Sequence, residues 1–420
     1  MPLPIEDSRP VSVLTIAATF PSLIQPWLVN QLVQIEKNGG VNSILARRAE
    51  TAVYSSDIDH YDLMSRYQLV PEDRLGQIRR FVSTFFSITG CRLILSGLKS
   101  FPRLLASNEL SLSEKFFSVF LLPIIGRADI DIIHSHSEMA GNKFIPIVYA
   151  LKIPLVITFH GLPPVGVNPI SAEQRRRYTK NASVILVNTE FAKKQYQSLG
   201  VDGEKIQILP QGTNLDDFPF KIRPFPHDGE VCILTVGRFH PDKGQEYAIK
   251  AVASLIKQGF RIKYRLVGNG PQRVVLEALC KDLGVTNEVE FYSSLSDQEL
   301  RGIYSNAHIF ILPSLKSEDG FHEETQGVVL QEAQAVGLIT IATNTGGIPE
   351  CIDDGVSGFL VKDRSSEEIA QKLIEVIFCA DRWPEYQRAG RQWVEQRYDI
   401  DKIGGEIDGI YRNLRASPLC

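Results

Sequence analysis

The chain has 420 residues, 44% hydrophobic and 22% charged, with a formal net charge of −4. That length exceeds one ordinary core and suits two domains of roughly 200 residues each. A mildly acidic total argues against bulk nucleic-acid binding, so no nucleic-acid partner is expected.

The N-terminal MPLPIEDSRP has no positive-then-apolar signal pattern, and the longest apolar stretch is FFSVFLLPIIG at 116–126. That is far short of the roughly 18 residues needed to cross a bilayer. The six cysteines (91, 232, 280, 351, 379, 420) form no CxxC pair and no Cys/His ligand spacing. A reduced cytoplasmic setting without a structural zinc is therefore expected.

In chain order, short apolar runs alternate with amphipathic segments, the pattern of parallel sheets with crossover helices. Residues 11–19 read as a strand and 26–39 as a helix ending at Gly39-Gly40. Residues 74–108 hold six Arg or Lys (74, 79, 80, 92, 99, 103), no Asp or Glu, and interleaved Phe, Ile and Leu. Such a segment suits a helix lying in an anionic membrane interface. Strands follow at 131–136, 154–161, 182–189 and 205–212.

The stretch FPFKIRPFPHDGE (218–230) has three prolines and no periodicity, and reads as a linker. Alternation restarts at 231–239, then a helix, then strands at 264–270, 289–293, 308–314, 338–344 and 358–361. Helices at 384–397 and 401–415 close the chain. The expected domains are 1–218 and 231–383, joined by 219–230, with the helices of 384–420 packing back on the first.

Ligands in such sheets bind at the carboxyl ends of strands, and the distinctive residues lie there. VGRFHPDKGQ (236–245) sets Arg238 and Lys243 around a turn before a helix, which suits a diphosphate. EETQGVVLQEA (323–333) opens another helix. Amides near Gly327 could hold phosphate, and Glu324 and Glu332 lie roughly 12 Å apart if the whole interval is helical. Carboxylates accept hydrogen bonds well from vicinal hydroxyls. The simpler explanation, acidic residues favoured at a helix N-terminus, competes with this one. His160 ends a strand in TFHG, and His134 and His136 end another in IIHSHSE. The HxH pair lacks a third ligand nearby, so no metal is expected. GNGPQR (268–273) lacks the third glycine of a dinucleotide fingerprint, so Gly268 and Gly270 read as a tight turn.

Taken together and in order, these segments resemble the family 4 retaining glycosyltransferases of GT-B fold. They are TFPSLIQPWLVNQLVQIEKNG, DIIHSHSE, ITFHG, VNTEFAKKQYQSLG, KIQILPQGTNLDDF, TVGRFHPDKGQEYAIKA, RLVGNGPQ, ILPS, ETQGVVLQEAQAVG and ATNTGGIPECIDDGVSGFLV. The first looks most like enzymes of bacterial exopolysaccharide and cell-envelope assembly.

The resemblance implies an α/β fold of two doubly wound Rossmann-like domains facing a cleft. It implies transfer of a hexosyl unit, with retention, from a nucleoside diphosphate sugar to an acceptor hydroxyl on a saccharide or lipid-linked saccharide. No metal or other cofactor is implied. By the same resemblance Arg238 and Lys243 stabilise the departing diphosphate, and Gly327 and Val328 contact it. Glu324 faces the transferred sugar and Glu332 the ribose. His160 approaches the reacting sugar, Gly268 lies on the donor side, and Gln211-Gly212-Thr213-Asn214 lies near the cleft. His134 and His136 are the candidates for acceptor contact. Work on envelope glycans adds peripheral attachment to the inner face of the plasma membrane, through 74–108.

Two departures stand out. Thr325-Gln326 replaces the usual Gly-Phe or Gly-Leu, and Gly327 the usual proline. The preceding KSEDGFHEE is long and acidic, so Glu323 competes with Glu324; the spacing to Glu332 selects Glu324. A nucleotide-sugar epimerase of the same fold, and transfer to a soluble acceptor, are the alternatives.

Overall fold

The computed structural model describes residues 9–22, 26–50, 57–70, 72–127, 129–136, 138–162, 170–293, 295–316 and 323–416. The first half begins β1 (Ser12–Thr19), α1 (Pro26–Lys37), β2 (Val41–Arg48), α2 (Asp57–His60) and β3 (Tyr67–Leu69). Four helices follow: α3 (Arg74–Phe85), α4 (Ile88–Leu98), α5 (Phe101–Ala106) and α6 (Leu112–Ile125). Then come β4 (Ile132–Ser135), α7 (Glu138–Lys143), α8 (Ile145–Leu151), β5 (Leu155–Phe159) and α9 (Ala172–Lys180). β6 (Val184–Val187), α10 (Glu190–Ser198) and β7 (Ile206–Ile208) complete it.

The second half runs β8 (Val231–Val236), α11 (Gln245–Lys257), β9 (Ile262–Val267), α12 (Arg273–Leu283), β10 (Val289–Tyr292) and α13 (Asp297–Ser305). It continues with β11 (Ile309–Leu312), α14 (Val328–Val336), β12 (Ile339–Thr343), β13 (Phe359–Val361) and α15 (Ser366–Phe378). The last helices are α16 (Trp383–Arg397) and α17 (Ile400–Ala416).

Both sheets are parallel, ordered β3-β2-β1-β4-β5-β6-β7 and β10-β9-β8-β11-β12-β13. Strand order reverses between β1 and β4 in one sheet and between β8 and β11 in the other. Those reversals open crevices at the carboxyl ends of the strands. Parallel strands covered on both faces read as continuous apolar runs, and IIHS, LVITF, VILV and IFIL are accordingly buried throughout.

The stretch expected as a linker is a strap packed on the second half. Phe218 and Phe225 pack on its cores. The buried Arg223 exchanges main-chain hydrogen bonds with the Gln387 carboxamide at 2.9 and 2.8 Å. The terminal helices divide. α17 packs on α1 and β4 of the first half, whereas α16 packs on α14 and β12 of the second. The expectation that both cover the first half is thus corrected for α16, whose Trp383 is buried in the second core and donates to the Val376 carbonyl. The chain therefore crosses between halves twice, and the crossings pair: Thr213 N donates to Tyr398 O and Ile400 N to Thr213 O.

The basic segment 74–108 is three helices, with α3 and α4 meeting at 107°. Among the described residues no single helix is long and apolar enough to cross a membrane. Arg80 and Arg103 turn to the carbonyls of Leu69 and Ala150. The apolar stripe of α3, Leu75, Ile78, Val82 and Phe85, faces outward.

Candidate active site

The loops after β8 and β11 meet at the second reversal point. Gly244, at φ +60°, lets the first loop approach so closely that a Cβ there would lie 2.1 Å from the Pro313 carbonyl. Side chains excluded at that point place Lys243 beside the end of β11, where its ammonium pairs with the Glu324 carboxylate. Both side chains are about one-fifth exposed, 19% and 22%. Arg238 is exposed on the same loop, and among the described residues no ion pair engages its guanidinium. Gly268 serves backbone packing: a Cβ would sit 2.0 Å from the Gly237 carbonyl.

Glu323 turns away from Lys243, accepting from Thr345 Oγ1 at 3.2 Å and from the Gly346 amide at 3.0 Å. Most of the acidic loop before it, 317–322, lies outside the described residues. Gly327 caps α14 and Val328 begins it. One turn further, Glu332 accepts a hydrogen bond from the Tyr304 hydroxyl at 2.7 Å. Burial pushes its carboxyl up to about 7, against the hydrogen bond from Tyr304 and with help from Asp297 and Asp217. The two glutamates thus occupy different surroundings, one paired with a cation and one packed against a phenol.

In the first half three histidines lie together. His134 is fully buried. Its Nδ1 takes hydrogen bonds from Gln31 at 3.1 Å and Tyr411 at 2.6 Å, while Nε2 meets Thr158 Oγ1 at 2.7 Å. This ring pins α1 and α17 to the sheet and has no free edge for an acceptor, which removes His134 from the candidates.

His160 receives the Gln211 carboxamide N–H at Nδ1, 2.7 Å away. Its Nε2–H therefore donates to His136 Nδ1 at 3.2 Å. His136 is left with a buried Nε2–H that has no hydrogen-bond partner. Burial holds all three imidazoles below the usual histidine range, His136 down to about 3, so they are neutral. Trp27 lies against His160 with ring centres 3.7 Å apart and planes tilted by 33°. His136, Trp27, Glu138 and Met139 line a cavity of about 180 Å³. Among the described residues no group of three or more His, Cys, Asp or Glu side chains could hold a metal ion.

The halves touch through the two departures. Thr325 and Gln326 are each 4% exposed and reach into the first half, and Glu350 accepts from the amides of Glu190 and Phe191 at the start of α10. Sequence reasoning missed these contacts, together with Trp27 and Tyr304. The signal available was a Thr-Gln pair where glycine and an apolar residue are usual.

The profile described as "Glycosyl transferases group 1" matches residues 217–393, and that described as "Glycosyltransferase Family 4" matches 92–217. The chain belongs to the family 4 glycosyltransferases. It is 27% identical over 255 residues to the GDP-mannose-dependent alpha-(1-6)-phosphatidylinositol monomannoside mannosyltransferase of Mycobacterium tuberculosis, a match spanning 58% of this chain and 65% of that one. It is 26% identical to the amylovoran biosynthesis glycosyltransferase AmsK of Erwinia amylovora, spanning 85% and 88%. The Anabaena HepE crystal structure with UDP-glucose superposes with a TM-score of 0.69 over 96% of this chain and 99% of that one, at 17% identity. The fold of this glycosyltransferase is therefore GT-B, and its relatives include enzymes of polysaccharide biosynthesis. These matches give a transferase, and the epimerase alternative is set aside.

Proposed function

We propose that this glycosyltransferase moves a hexosyl unit, with retention, from a nucleoside diphosphate sugar to an acceptor hydroxyl in polysaccharide or cell-envelope glycan assembly. The observation that carries the reading is the Lys243–Glu324 pair at the β8/β11 crevice, immediately before α14. A cation from the loop after β8, set beside a carboxylate and a helix N-terminus from the loop after β11, suits a diphosphate next to a sugar. Glu332, further along α14 beside Tyr304, suits the ribose.

The donor's C1–O bond breaks as the acceptor oxygen bonds to C1 on the same face, and the acceptor proton passes to the leaving phosphate. Arg238, Lys243 and the amides of Gly327 and Val328 stabilise the charge developing on that phosphate, so the reading requires no metal. Glu324 orients the sugar hydroxyls and His160 approaches from the opposite half. His136, which lines the cavity beside Trp27, is the remaining candidate for acceptor contact.

Removing one charge-stabilising donor commonly costs a few kcal/mol in the transition state. Lys243→Ala should lower kcat more than tenfold in a protein that still melts cooperatively. Wild-type turnover in that variant would contradict the assignment.

The acceptor reading extends to a lipid surface. On α3 the outward stripe leads to Phe86 and Ile88, 81% and 78% exposed at the corner with α4. Phe81, Phe120 and Phe116 continue it as a ladder of ring contacts. Arg74, Arg79, Arg92 and Lys99 are exposed around it. An apolar corner within a cationic rim suits anionic lipid and, with it, a lipid-linked acceptor.

A further inference from the structure

We infer that Thr325 and Gln326 are positioning residues which set the orientation and tautomer of His160 from the opposite half of the molecule. The inference rests on the reading of His160 as the group that approaches the reacting sugar. Thr325 Oγ–H donates to the His160 backbone carbonyl at 3.1 Å. The Gln326 carboxamide pairs both ways with the main chain of Gln211, its Oε1 accepting from N at 2.8 Å and its Nε2 donating to O at 2.9 Å. The Gln211 side chain, held by that pairing, donates to His160 Nδ1. One loop therefore fixes His160 at its carbonyl directly and at its ring through one intermediary.

Three features make this more than domain contact. The two-way pairing admits a single orientation of the Gln326 amide, because Gln211 offers one main-chain donor and one acceptor there. The donation from Gln211 leaves His160 as the Nε2–H tautomer, and that proton is committed to His136 Nδ1. Thr325 is itself held in register: Thr189 Oγ1 donates to its carbonyl at 2.9 Å, and the Gly347 amide donates to the carbonyl of Glu324 at 2.7 Å. The hydrogen bonds form a continuous path Gln326–Gln211–His160–His136, from the loop that carries Glu324 to the cavity in the first half. A glycine at 325 and an apolar residue at 326 could make none of the side-chain bonds. These two side chains do not turn toward a donor sugar; they face the first half.

A shift of about 1 Å in a reacting group can cost roughly a hundredfold in rate. Gln326→Leu and Thr325→Val, each close in volume to the native side chain, should therefore lower kcat by about 10- to 100-fold. The turnover is measured as nucleoside diphosphate release from whichever of UDP-glucose or GDP-mannose the protein binds. Calorimetric affinity for UDP or GDP should change less than twofold, and Thr325→Ser should recover most of the rate.

The readout that a merely structural role would not move is the ¹⁵N spectrum of the histidine rings in the full-length protein. Wild type should show His160 with a bare Nδ1 and a protonated Nε2, and Gln326→Leu should give a mixture of tautomers. An unchanged tautomer with unchanged kcat in both variants would overturn the inference, as would equal losses of kcat and nucleotide affinity. His160→Ala separates the two claims. Full turnover in that variant contradicts the role given to His160, while a tautomer shift in Gln326→Leu still upholds the hydrogen-bonded path.

Discussion

A carboxyl group packed under Tyr304 is costly to ionise, and burial pushes Glu332 up to about 7. Ribose hydroxyls donate best to the ionised form, so the proposed role of Glu332 at the ribose links nucleotide binding to proton release. Between pH 6 and pH 8 the ionised fraction rises roughly tenfold, and affinity for UDP or GDP should rise by about the same factor. Glu332→Gln should flatten that dependence, and an identical slope in the variant would contradict it. The sign for stability is opposite. A carboxyl raised above its unfolded value favours the protonated folded state, so stability falls as pH rises from about 4.5 through 7. Both glutamates were legible from their spacing. The resemblance also implied their division between sugar and ribose, but their partners were not legible, because Lys243 reaches Glu324 from the loop after another strand and Tyr304 reaches Glu332 from another helix.

At the scale of elements, the strands that carry the site were legible because each is a buried apolar run ending in polar residues. β2 and β3 were not. In β2 the apolar core is Ile44–Ala46, flanked by Asn42, Ser43, Arg47 and Arg48, and β3 has only three residues. The segment 74–108 was legible as basic and apolar, while its break into α3, α4 and α5 was not. Gly90, Gly97 and Gly126 make that folding possible, since a Cβ on Gly97 or Gly126 would strike the backbone of α6 or α4. Arg80 and Arg103 are spent on carbonyls, so the cations available to a membrane are Arg74, Arg79, Arg92 and Lys99. Each contributes on the order of 1 kcal/mol near an anionic surface. The protein should float with anionic vesicles at low salt and detach at high salt or in the fourfold Glu variant. Phe86→Ser with Ile88→Ser should weaken binding at every salt concentration. No flotation with anionic vesicles at low salt would point to a soluble acceptor.

For the whole molecule, two sheets with matching reversal points set the Lys243–Glu324 crevice of one half against a neutral histidine cluster in the other. The order of motifs made the two-domain plan legible from the chain. The closure between halves was not, because it depends on Thr325 and Gln326 meeting His160, Asn188, Thr189 and Gln211 across more than a hundred residues of sequence. Paired crossings at Thr213 and Tyr398–Ile400 keep the halves in register, with Gly212 packed against Ile400. On the proposed reading, the Glu324 end of the EETQGVVLQEA segment holds the sugar and the Glu332 end the nucleotide. Calorimetric titration of UDP and GDP into wild type, Glu324→Ala and Glu332→Ala tests it most directly. Wild type should bind one nucleotide tightly, Glu332→Ala should lose tenfold or more of that affinity, and Glu324→Ala should change it less than twofold. Equal weakening by both substitutions, or no binding of either nucleotide by wild type, would contradict it.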